Sequence, residues 1–210
     1  MAESEVQVGM ITLGMVGTNC YFVVKDGHCV VFDPADKGDK IYEILQEKEL
    51  TVDLILLTHG HFDHIAGAEK LRELTGAKIG CYIKEQALCK DVYLNVADRY
   101  GFDSVLDPDI FYEDGDIIEA AGLTIKLIAT PGHTSGSCCF YIEEEKILIC
   151  GDTLFEESVG RSDYPTGSTS ELIRSVKEKL FCLPDDTICY PGHGELTTIG
   201  HEKLYNPFII

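Results

Sequence analysis

Between Thr58 and His64 the chain reads Thr-His-Gly-His-Phe-Asp-His, which gathers His59, His61, Asp63 and His64 just after the apolar run Leu54 to Leu57. Imidazole nitrogen and carboxylate oxygen are donors that borderline divalent cations such as Zn²⁺ accept at about 2.0 to 2.2 Å. Four donors this close in sequence crowd a single ion, so the spacing suits two. Three later loops offer the same chemistry: Pro131-Gly132-His133-Thr134, Gly151-Asp152-Thr153 and Pro191-Gly192-His193-Gly194, each after an apolar stretch. At Gly60, Gly132 and Gly192 a glycine directly precedes the histidine. A residue without Cβ permits the tight turn that would aim the next side chain inward. His28, in a hairpin turn, and His201, near the end, lack this context and are expected at the surface.

The pattern HxHxDH followed by a histidine, an aspartate and a final histidine resembles the metallo-β-lactamase superfamily, over essentially the whole chain. The resemblance implies an α/β fold: an αββα sandwich of two packed mixed β-sheets with helices on the outer faces and a binuclear metal centre at one edge. Carried over position by position, His59, His61 and His133 would hold the first metal, Asp63, His64 and His193 the second, and Asp152 would bridge both. Two Zn²⁺ ions are the expected occupants, with iron or manganese as alternatives.

Such a centre would lower the pKa of bound water toward about 7 and polarise a neighbouring carbonyl. Hydroxide held with Asp63 and Asp152 would be the attacking group, and the chain has no GxSxG motif to suggest a serine nucleophile. Among acyl compounds a thioester suits this device, because a thiolate with a conjugate pKa of about 8.5 leaves without a general acid and an amine does not.

Within the superfamily the chain is most similar to the glyoxalase II-like hydrolases, through Thr18-Asn19-Cys20-Tyr21, Gly151-Asp152-Thr153-Leu154-Phe155 and Gly160-Arg161-Ser162-Asp163. This implies a small-molecule thioester substrate, such as a hydroxyacylglutathione. The larger enzymes of that branch continue into a helical carboxy-terminal domain that helps hold glutathione, whereas this chain stops soon after His193, so one domain over residues 1–210 is expected. Arg161 is the candidate for a substrate carboxylate, with an ion pair to Asp163 or another loop acid as the alternative. The segment Asp91 to Gly101, with Tyr93 and Tyr100, either covers the pocket or packs as a helix on the sheet. A rival on the same scaffold is a persulfide dioxygenase, whose single iron would sit on His59, His133 and Asp152.

The elements that must position these residues are legible in outline. Val6 to Leu13, Cys20 to Val24 and Cys29 to Phe32 read as strands, the last two joined by Asp26-Gly27. Asp39 can cap a helix with Ile41, Ile44 and Leu45 on one face, and Leu54 to Leu57 suits a strand buried on both sides. A helix around Ala68 to Leu74, a strand from Lys78 to Tyr82 and a helical stretch between Lys84 and Tyr100 follow. Four more strands are predicted at Ile117 to Glu119, Leu123 to Ala129, Ser137 to Ile142 and Lys146 to Cys150. Ser168 and Glu171 form a capping box ahead of a helix, then come the strand Ile188 to Tyr190 and a last helix from Ile199 to Tyr205.

Composition narrows the partners. The 36 acidic residues outnumber the 17 basic ones for a net charge of −19, which disfavours a phosphate backbone and so excludes nucleic acid as the expected ligand. The first residues, Met1 to Gln7, are acidic and polar and do not read as a leader, and no run approaches the roughly 20 apolar residues of a membrane span, so a cytoplasmic protein is expected. The nine cysteines include no CxxC and are read as reduced, buried thiols. Periodicity locates no oligomer interface.

Overall fold

Apolar runs without polar interruption become strands covered on both faces in the computed structural model, which describes residues 5–209. Two antiparallel hairpins open the chain, through β1 (Gln7–Leu13), β2 (Thr18–Lys25) and β3 (His28–Phe32). Helix α1 (Gly38–Glu47) then crosses to β4 (Thr51–Leu57), which lies parallel to β3. The short α2 (Phe62–Ile65) and α3 (Ala68–Thr75) lead to β5 (Lys78–Tyr82), and α4 (Gln86–Cys89) precedes the edge strand β6 (Ile110–Tyr112). These six strands form one sheet in chain order.

The second sheet contains β7 (Ile117–Ala120), β8 (Leu123–Ala129), β9 (Cys138–Ile142) and β10 (Ile147–Gly151) as an antiparallel meander. A small hairpin of β11 (Leu154–Phe155) and β12 (Ser158–Val159) and helix α5 (Thr169–Ser175) come next. Strand β13 (Ile188–Pro191) returns parallel to β10, followed by β14 (Thr197–Thr198) and α6 (Ile199–Tyr205).

Alternation along the strands sorts side chains into three apolar layers, because successive residues point to opposite faces. Val30, Phe32, Leu54 and Leu56 meet Leu127, Phe140 and Ile149 between the sheets, with Phe32 and Phe140 rings 5.5 Å apart. Their neighbours Val31, Ile55 and Leu57 face outward onto Ile41, Leu45 and Leu71 of the helices. On the other side Cys139, Leu148 and Cys150 pack on Val176, Leu180 and Ile199. This is the expected αββα sandwich.

Several local expectations change. Asp39 lies inside the first turn of α1, and Lys37, in a left-handed conformation, takes the cap position without a side-chain hydrogen bond. The stretch from Lys84 to Tyr100 is broken into α4 and two single turns at Ile83–Glu85 and Ala97–Tyr100. Ser168 caps α5 by accepting from the Glu171 amide, but its own amide donates to Gly132 O at 2.8 Å, joining the helix to a site loop. All nine cysteines are free thiols, with only Cys182 exposed. Among the described residues no helix is long and apolar enough to cross a membrane.

Phe140 is fully buried between the sheets. Phe140→Ala is expected to cost about 3 to 5 kcal/mol, read from urea unfolding curves. A loss below about 1 kcal/mol would mean that the inter-sheet layer is not the main core.

Candidate metal centre

Strand ends from both sheets deliver the candidate side chains to one edge of the sandwich. Beyond β4 the chain carries His59 and His61 before α2 presents Asp63 and His64. From the second sheet, the β8–β9 connection supplies His133, the end of β10 supplies Asp152 and the end of β13 supplies His193. The structure brings all of them together. His133 Nε2 lies 3.2 Å from His59 Nε2 and 2.9 Å from His61 Nδ1. Asp63 Oδ2 lies 3.3 Å from His193 Nε2 and 3.6 Å from His64 Nε2. Asp152 reaches both groups, with Oδ1 3.3 Å from His64 Nε2 and Oδ2 3.5 Å from His133 Nε2. His59, His61 and His133 make one donor trio, Asp63, His64 and His193 a second, and His59, His64 and Asp152 a third that overlaps both.

Two backbone hydrogen bonds stitch the sheets together here, from Cys138 N–H to Thr58 O at 2.9 Å and from Asn19 N–H to Gly192 O at 2.7 Å. The segment Thr18 to Tyr21 serves this edge throughout. Thr18 donates to Asp63 Oδ2 at 2.7 Å, while Asn19 Nδ2 and the Tyr21 hydroxyl both donate to Pro191 O, ahead of His193. Gly160 packs so closely on Asp152 that a Cβ would come within 1.8 Å of the Asp152 carbonyl oxygen. The glycines before the histidines act differently from the expected turn role. Gly132 has a φ of +140°, but Gly60 and Gly192 have no unusual φ and are required by space. A Cβ on Gly192 would lie 2.3 Å from Asp152 Oδ1, and one on Gly60 2.7 Å from Cys89 Sγ.

Four histidines commit their outer ring nitrogen to the protein, which turns the inner one toward the centre. His64 Nδ1 meets Asp33 Oδ2 at 2.9 Å, His133 Nδ1 meets Arg161 O at 2.7 Å, and His193 Nδ1 meets Gly17 O at 3.3 Å. His59 Nδ1 lies 3.1 Å from Thr58 Oγ1. His61 reverses the pattern, with Nδ1 inward and a buried Nε2 that has no protein partner. Asp33 also accepts from the amide and hydroxyl of Thr58, and it holds a φ of +49°, a costly conformation for a buried aspartate. Sequence reasoning passed over Asp33. Its signal was an acid placed directly after the buried strand Cys29 to Phe32.

The two trios differ electrostatically. Burial, with the neighbouring His64, His133 and His61, holds His59 well below the ordinary imidazole range. Burial and His133 push His61 down to about 3, and burial also lowers His133. This trio therefore presents neutral lone pairs. Burial opposes charge on His64 as well, but Asp63, Asp152 and Asp33 outweigh it and hold His64 well above its ordinary value. Burial is likewise overcome at His193 by Asp63 and Asp152, which raise it, and at Asp63 by His64 and His193, which bring it down to about 2. The second trio thus calls for positive charge among its donors. His64 Nε2 and Asp152 Oδ1 are buried without hydrogen-bond partners, an arrangement that a shared cation satisfies. The donor set fits a pair of divalent metals.

A cleft of about 350 Å³ opens above this cluster, walled by Val16, Phe62, Val96, Phe155, Tyr100 and Tyr164. Arg161 also lines it, but its guanidinium is already committed. Nε and Nη2 each donate to Asp163 at 2.8 Å, and Nη1 donates to the Tyr164 hydroxyl at 2.9 Å. The loop ion pair, the alternative weighed against a substrate carboxylate, is the contact the structure contains. Tyr100 reaches across to Tyr164, hydroxyl to hydroxyl, at 3.0 Å, so part of the Asp91–Gly101 segment does cover the pocket. Tyr93 is exposed and is not among the residues that line the cleft. His28 and His201 lie outside the cluster, paired with Asp53 and Glu157. Tyr164, directly after the Gly160–Asp163 motif, was the wall residue nearest to recognition.

The profile of the metallo-beta-lactamase superfamily matches residues 13–193. The chain belongs to that superfamily. Among its relatives, hydroxyacylglutathione hydrolase GloC of Haemophilus influenzae is 35% identical over 91% of this chain and 92% of its own. The probable metallo-hydrolase YqgX of Bacillus subtilis is 34% identical over 94% of each. Among solved structures, BLEG-1 B3 metallo-beta-lactamase superposes with a TM-score of 0.92 at 34% identity, covering 97% of this chain and 99% of that one. TTHA1623, solved in a di-iron-bound form, gives a TM-score of 0.85 at 33% identity, with 95% and 99% covered. ETHE1 from Myxococcus xanthus gives 0.79 at 27% identity, with 96% and 83% covered. The fold and the family are common ground among these proteins, and this chain, with its His/Asp metal-binding cluster, is a metallo-hydrolase of that superfamily.

Two measurements probe the geometry. In chelator-treated protein, imidazole ¹⁵N spectra are expected to show His61 neutral down to about pH 3 and His64 and His193 protonated at pH 6. A His61 ring that titrates near 6.5 contradicts the burial argument. Asp33→Asn removes the charge behind His64 and is expected to weaken metal at the second trio by about 10- to 100-fold in chelator competition. An unchanged affinity would deny Asp33 that role.

Proposed function

We propose that the protein is a binuclear metallo-hydrolase of S-acyl thiols, with a hydroxyacylglutathione-type thioester as its substrate class. The observation that carries this reading is Asp152, whose carboxylate oxygens lie 3.3 to 3.6 Å from histidines of both donor trios and include a buried one that no protein group satisfies. Zinc as the metal and a cytoplasmic setting belong to the same proposal. His59, His61 and His133 would hold one ion, Asp63, His64 and His193 the other, and Asp152 both.

Bound there, divalent ions supply an acidified water and a Lewis acid for the acyl carbonyl. The chain's own groups do the rest. The neutral first trio keeps its lone pairs available at neutral pH, and Asp63, ionised and fixed by Thr18, holds negative charge at a set position. Phe62, Val96 and Phe155 receive the apolar part of the acyl thiol and displace water from it. No serine or cysteine is among the residues that line the cleft, and outside the cluster its walls carry no carboxyl or imidazole. A leaving group that departs without a dedicated acid suits such walls, and a thiolate is one. The relationship to GloC supports the same substrate class.

The rival reading, a mononuclear iron dioxygenase, would use only His59, His133 and Asp152. It leaves the convergence of Asp63, His64 and His193 without a purpose. The two are separated by counting zinc, iron and manganese per chain and assaying S-lactoylglutathione hydrolysis beside persulfide-dependent oxygen uptake. Two metals with hydrolysis are expected, and Asp152→Ala should lose both metal and activity. One iron with oxygen uptake overturns the proposal.

A further inference from the structure

Outside the donor set, one buried carboxylate touches the first trio's supports from a distant part of the chain. Glu85 ends the single turn after β5 and has no exposed surface. Its Oε2 accepts the Gly60 amide at 2.8 Å, and its Oε1 accepts the Thr134 hydroxyl at 2.8 Å. The Gly136 backbone lies against the same carboxyl group. No cation is among the groups that act on it: burial raises its pKa, and the Thr134 hydroxyl with the Gly60 and Gly136 backbone oppose that rise. An ionisable group is costly to keep in such a place, and it persists where its hydrogen bonds specify a geometry.

The partners reveal that geometry. Gly60 stands between His59 and His61, and Thr134 follows His133. One carboxyl group therefore spans the two loops that carry the first trio, one loop from each sheet. The second loop is shaped to admit it, and the first is held close to the helix that follows Glu85. A Cβ on Gly136 would lie 2.6 Å from Glu85 Oε1, and one on Gly60 would strike Cys89 in the adjoining helix. Asp33 stands in the corresponding relation to His64 in the second trio.

We propose that Glu85 is a positioning residue that sets the separation of His59 and His61 from His133, and so the metal affinity of the first trio alone. The proposal rests on the reading that this trio holds a metal. Glutamine at position 85 has one acceptor oxygen. With the oxygen turned toward Thr134 its NH2 group faces the Gly60 amide, and with the oxygen turned toward Gly60 that NH2 group faces the Thr134 hydroxyl and the Gly136 backbone, so both native bonds cannot be kept as they are.

The test uses the full chain carrying Glu85→Gln, Glu85→Ala and the milder Thr134→Val, loaded with cobalt(II). Stoichiometry and chelator competition give the two affinities, paramagnetically shifted imidazole resonances identify the filled trio, and unfolding of metal-free protein reports stability separately. Glu85→Gln is expected to weaken the first trio's metal by about 10- to 100-fold while the second trio's stays within about threefold. Thr134→Val should shift the first trio in the same direction by a smaller factor, which keeps the test decisive if Glu85→Ala fails to fold. Wild-type affinity at the first trio in Glu85→Gln and Thr134→Val would overturn the brace, as would equal loss at both trios. A wild-type protein that binds no cobalt would instead defeat the metal reading itself.

Discussion

Three imidazoles with nitrogens about 3 Å apart and two carboxylates only 12 to 14% exposed share one edge of this sandwich, against both desolvation and their own lone-pair repulsion. Much of the surrounding structure opposes that tendency to spread. The sheets are joined at this edge by the Cys138–Thr58 and Asn19–Gly192 backbone bonds. Outer ring nitrogens are tied to carbonyls, a hydroxyl and Asp33, which leaves the inner ones few directions to point. A single methyl at Gly192 would strike Asp152 and His64, and one at Gly60 would strike Cys89 in the adjoining helix.

The same constraint gives the flanking motifs a physical meaning. The Thr18–Tyr21 segment, first a family marker, is a clamp: it holds Asp63 through a hydroxyl and the His193 loop through Asn19 and Tyr21. In the Gly160–Asp163 segment, the glycine lets the backbone approach Asp152, and the carbonyl of Arg161 orients His133. The two halves of the site are unlike. The first trio is held neutral, so a metal bound there would release no protons, whereas the second favours charged histidines against two carboxylates, so a metal bound there would displace protons.

Legibility followed the range of the interactions. Strands such as Leu123–Ala129 and the helix Ile199–Tyr205 were readable because period and length are local properties. The three-residue β6, half-buried at an edge, left no periodic trace. The segment after Lys84 misled because its helical residues fold as separate single turns around the buried Asn95, whose side chain bonds Ser104 O and the Ala97 amide. The cap of α1 was assigned to Asp39 by residue type, whereas the chain enters that helix through a left-handed Lys37 where Gly38 packs against Gly67.

From the sequence alone came the order and chemical type of the donors, the two-sheet pattern and the superfamily, since each depends on residue identity and local spacing. Only the tertiary structure decided which nitrogen of each imidazole faces the centre, that Arg161 is held by Asp163 and Tyr164, and that Asp33 and Glu85 stand behind the trios. These outcomes depend on contacts such as Thr18 with Asp63 or Glu85 with Thr134, between residues 45 and 49 positions apart. Such pairs have no local period to betray them, because strand order within a sheet and the packing of the two sheets, and not the chain between the partners, set their distances.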